Sequence, residues 1–74
     1  MSDETKERLH TFTAPYRQQI MLDEVRFDSG MRLMRVTIRE NHRFTMLDID
    51  AQTAHAWADA MKKWAETIPP TSSD

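Results

Sequence analysis

The chain has 74 residues, no cysteine, and ten Lys plus Arg against twelve Asp plus Glu, for a formal net charge of −2. A chain this short holds one domain at most, and a core of its size rarely supplies more than about 3–5 kcal/mol unless something staples it. Without cysteine, disulfides and thiolate metal sites are excluded, so association is the staple that remains, and the negative charge gives the wrong long-range field for general polyanion binding.

The opening "MSDETKERLHTF" alternates acid and base and lacks the apolar run of a signal peptide, and no window approaches the ~20 apolar residues of a membrane span. The expectation is a soluble cytoplasmic protein with a flexible tail over 1–8, one domain over 9–68 and a disordered end, "PPTSSD", over 69–74. The segment around "HTFTAPYRQ" has the weakest pattern. It adds a short strand or lies against a sheet edge.

Three strands are expected over 18–28, 31–40 and 43–49. Asp28-Ser29-Gly30 separates the first two, with Gly30 able to take the positive φ of a hairpin turn, and Asn41-His42 separates the second pair. Two-residue loops at both turns pair Ile38 with Thr45, Val36 with Leu47 and Met34 with Ile49, then Val25 with Met34 and Met21 with Ile38. One face is then almost wholly apolar.

The last element is a helix. Asp50 caps "AQTAHAWADAMKKWAE", Lys62 and Lys63 lie toward the negative end of its dipole, and Pro69-Pro70 stop it. Ala54, Trp57, Ala58, Met61, Trp64, Ala65 and Ile68 fall within about 120°, an amphipathic stripe expected to dock on the apolar face. Each tryptophan buries roughly 150–250 Å² in such a core. Thr53, Ala56, Ala60 and Thr67 form a second strip, of small residues, which permits close approach by another backbone.

The same register places Glu24, Arg35 and Asp48 in one row of the opposite face, Leu22, Thr37 and Met46 in the next, and Ile20, Arg39 and Phe44 beyond, with Arg26 opposite Leu33. Arg35 is bracketed by carboxylates, as in a cross-strand charge ladder. Ile20, Leu22, Leu33, Phe44 and Met46 form an apolar set that one helix cannot cover. They are the expected protein-interaction residues, for a homodimer or another protein, unless the N-terminal segment folds over them.

Chemistry-bearing motifs are sparse. His55 and Asp59 have i, i+4 spacing, but two ligands fall short of a metal site. Asp48 and Asp50 point the same way along a strand, yet one is wanted by Arg35 and the other as a cap. The serines lie in tails or a turn, and no glycine-rich loop cradles phosphate. The expectation is no enzyme, no metal and no cofactor.

The order of "VRFDSGMRLMRVTIRE", "HRFTMLDID" and the Asp-capped "AQTAHAWADAMKKW", about residues 20–66, resembles the dimeric single-stranded-DNA-binding transcriptional coactivator family, a meander followed by one C-terminal helix. That family's lysine-rich strands are missing here, and a later loop is shortened to Asn41-His42. The resemblance implies that Arg35, Arg39, Arg43 and Phe44 hold phosphate and stack bases. The reading is an α+β fold: an antiparallel meander of three strands, or four with the N-terminal segment, and one C-terminal helix. Its expected role is a small non-enzymatic accessory or regulatory module acting through the helix-free face, with single-stranded nucleic-acid binding there as the alternative.

Overall fold

The structure is a computed structural model that describes residues 4–70. Four strands, β1 (Glu4–Ala14), β2 (Gln18–Phe27), β3 (Arg32–Glu40) and β4 (Arg43–Ile49), form one antiparallel sheet in sequence order, and α1 (Ala51–Glu66) follows. This is the α+β meander expected, in its four-stranded form. Residues 4–8, expected as tail, belong to β1; residues 1–3 and 71–74 of the expected tails lie outside the described residues.

Local chemistry accounts for each boundary. Asp50 accepts a hydrogen bond from the Thr53 backbone N–H at 2.9 Å and starts α1; the Thr67 N–H closes the last turn on Trp64. Asn41 has φ 56° at the β3–β4 turn, and the pairs Ile38–Thr45, Val36–Leu47 and Met34–Ile49 are those the two-residue loop predicts.

The β2–β3 hairpin departs from expectation. Gly30 donates to the Phe27 carbonyl, Phe27 donates to the Met31 carbonyl, both at 2.9 Å, and Gly30 has φ 95°. The loop is therefore three residues long, a turn followed by a left-handed glycine, and the register moves by one. Ile20 pairs with Ile38, Leu22 with Val36, Glu24 with Met34 and Val25 with Leu33. Because side chains alternate, that single step exchanges the two faces of β2.

One face therefore carries Ile20, Leu22, Val36, Ile38, Leu47 and Ile49. The other carries Met21, Asp23, Val25, Leu33, Arg35, Thr37, Phe44, Met46 and Asp48. β1 joins β2 with an irregularity between Arg8 and His10, where Leu9 is the extra residue of a bulge.

Burial is sparse. Among the described residues only Val25, Val36 and Ile49 are buried hydrophobics, and α1 buries none of its side chains. Its chief neighbour in the sheet is β3. The expected seating of the Trp57–Ile68 stripe on the apolar face is thus corrected: Trp57 is 38% exposed, Ile68 51%, Met61 61% and Trp64 68%.

Candidate protein-interaction surface

Arg8, Asp23, Arg35 and Asp48 stand in one row across all four strands. The Arg8 guanidinium donates to the Asp23 carboxylate, and Asp23 is nearly fully buried between its neighbours. Arg35 donates from Nε to Asp48 Oδ1 at 2.8 Å and from Nη2 to Oδ2 at 3.0 Å, a fork that holds the Asp48 carboxyl below its usual range against the opposing effect of partial burial.

Arg35 is bracketed by carboxylates as expected, but its β2 partner is Asp23 rather than Glu24. Glu24 sits on the other face. It accepts from Arg32 Nε at 2.6 Å and Arg26 Nε at 3.1 Å, and these bonds, Arg32's foremost, lower its pKa.

The five residues expected to form one apolar patch are divided by the register. Ile20 and Leu22 lie with Val36 and Ile38, half-buried, whereas Leu33, Phe44 and Met46 lie on the opposite face. Phe44 and Met46 are strongly exposed. The four residues of the nucleic-acid set divide too. Arg39 and Phe44 are neighbours, with the guanidinium 5.8 Å from the ring centroid; Arg43 points from the other face, and Arg35 is committed to Asp48.

At the turn end of the sheet Arg17, missed from sequence, joins Arg39 and Arg43 of that set. Four of the seven arginines are paired with carboxylates, while Arg17, Arg39 and Arg43 make no ion pair among the described residues. Arg17, Gln19, Arg39 and Asn41 line a small cleft there, beside the almost fully exposed Tyr16. Tyr16 and Arg17 both adopt left-handed backbone, φ 64° and 65°, which strains residues that bear a Cβ.

The larger apolar surface is the helix. At 100° per residue, Gln52, His55, Asp59, Lys62, Lys63 and Glu66 crowd into an arc of roughly 100°, leaving well over half the circumference without charge. One edge of that uncharged arc, Ala51, Ala54 and Ala58, lines an open cleft of about 560 Å³ with Leu9, Leu33 and Met34, whose rim carries Glu24, Arg32 and His55. The middle of the arc is Trp57, Met61, Trp64 and Ile68, which stay exposed among the described residues. The signal was present in the sequence as the missing charges at Ala56, Ala60 and Thr67, which widen the apolar arc beyond what one sheet face can occupy.

Among the described residues, no three His, Asp or Glu side chains are placed to hold a metal ion, and no helix is long and apolar enough to cross a membrane. Comparison with known families matches residues 3–67, nearly the whole meander and helix, to a family of unknown function. The chain belongs to the DUF6967 family. No curated protein and no solved structure is detectably similar to it. The DUF6967 match covers all four strands and α1, and of the helix seam all but Ile68.

Proposed function

We propose that this DUF6967 protein is a small non-enzymatic accessory or regulatory module that self-associates or binds a protein partner. Its contact surface centres on the tryptophan seam of α1. The observation that carries this reading is the contrast, among the described residues, between three buried hydrophobic side chains and the exposed run Trp57, Met61, Trp64 and Ile68. A single chain with so small a core lacks the apolar burial that offsets conformational entropy, and a contiguous exposed patch of this kind marks an interaction site.

Light scattering after size exclusion, over a range of concentrations, tests the self-associating form. A mass of two chains or more supports it. A one-chain mass at every concentration removes it and leaves a separate protein partner.

The second reading, single-stranded nucleic-acid binding, is favoured by one observation: among the described residues Arg17, Arg39 and Arg43 make no ion pair, and they lie at one end of the sheet next to exposed Tyr16 and Phe44. Phosphate contacts and base stacking need those groups. Three phosphate contacts predict a slope of about −2 in log affinity against log salt, from about −0.7 per contact on single strands. Binding indifferent to salt, or none, argues against this reading.

A further inference from the structure

The self-association reading says that a partner covers the seam; the seam itself says which one. We propose that the occupant is the same helix of a second copy, packed antiparallel across a two-fold axis near Met61. Trp57 then meets Trp64 of the second copy, and Ile68 reaches the Ala54 side of the second copy's open cleft.

The spacing is the first argument. Ala54, Trp57, Met61, Trp64 and Ile68 recur at intervals of three and four, the seam of two helices packed side by side. Flanking positions Ala58, Ala65, Ala60 and Thr67 are small and uncharged, so two backbones can approach and the indoles can fill the space between them. Charged side chains are confined to the far side, where they stay in water.

The seam is also nearly the same read in either direction, Trp-Met-Trp about Met61. In a two-fold interface residue i meets j while j meets i, so a seam nearly symmetric about Met61 sets Trp57 against Trp64 on both sides of the axis.

Area agrees. At their exposures of 38–68%, the four large seam residues present on the order of 400 Å² of apolar side chain. A stable interface needs about 800 Å² per partner. The four residues thus present about half of that area, and the flanking alanines and the cleft beside Ala54 add to it.

Orientation follows from where the helix is held. Its first turns line the cleft beside β3, whereas Met61, Trp64 and Ile68 in its second half are exposed. A parallel pair would bring both sheets to one end. An antiparallel pair sets them at opposite ends, opposes the helix dipoles, and carries each free C-terminal half to the other chain's cleft.

Cross-linking of the full chain tests this, since it contains no native cysteine. Under mild oxidation Met61→Cys should form a disulfide dimer and Asp59→Cys should not, because only seam positions come within bonding distance. Mixed Ala54→Cys and Ile68→Cys chains should cross-link to each other, and Ala54→Cys alone should not. Trp64→Glu should halve the solution mass while the sheet signal in circular dichroism persists. A dimer that neither cross-links at 61 nor responds to Trp64→Glu overturns the helix pairing but leaves self-association standing. Cross-linking of Ala54→Cys with itself overturns the antiparallel arrangement, and a monomer at every concentration overturns both the pairing and self-association.

Discussion

Arg35 on β3 and Asp48 on β4 are joined by two parallel hydrogen bonds, 2.8 and 3.0 Å, at the β4 end of the charge row that crosses the whole described sheet. The fork fixes two neighbouring strands in register and keeps Arg35 from serving as a free cation.

Its pH dependence has a definite sign. Arg35 lowers the folded-state pKa of Asp48, so the stabilisation is present above the ordinary aspartate pKa and is lost as pH falls through the lower, folded value. Glu24 and Asp50 are lowered as well and act in the same direction. Urea midpoints should therefore fall on acidification from neutral pH to about pH 3. Asp48→Asn should cost about 1 kcal/mol at neutral pH, given its partial exposure, and flatten that fall. An unchanged acid slope would mean the pair contributes nothing.

Val25 is the one fully buried large side chain among the described residues. Val25→Ala should cost about 2 kcal/mol by lost transfer energy and a residual cavity, read from the urea midpoint. A cost near zero would indicate that the site collapses freely.

Gly30 has open space around its Cβ position but a φ of 95°. Gly30→Ala should destabilise by about 1 kcal/mol through the backbone alone, with no change in mass or in the sheet signal. A neutral result would mean that the hairpin shifts its loop.

Tyr16 also sits in the left-handed region. Tyr16→Asn should raise stability by about 0.5 kcal/mol, since Asn tolerates that backbone better. If the turn serves nucleic-acid binding, the more stable variant should bind an oligothymidylate more weakly; equal binding would remove Tyr16 from that surface.

The sequence by itself determined the elements whose signals are local. Alternation marked β3 and β4, Asn41 marked their turn, and Asp50 with Pro69-Pro70 bounded the helix, because caps and tight turns depend on a few adjacent residues. The Arg35–Asp48 pair was legible for the same reason, as it spans one short hairpin.

The tertiary structure alone decided what depends on register and on distance. One extra residue in the Asp28–Gly30 loop exchanged the faces of β2, replaced Glu24 by Asp23 beside Arg35, and divided Ile20 and Leu22 from Phe44 and Met46. β1 was legible only as a short strand around "HTFTAPYRQ", because the charged residues of its first half lack alternation and its pairing to β2 passes through a bulge. The exposure of Trp57 and Trp64 could not be read from an amphipathic stripe, since a stripe says that a face is to be covered and only packing decides by what.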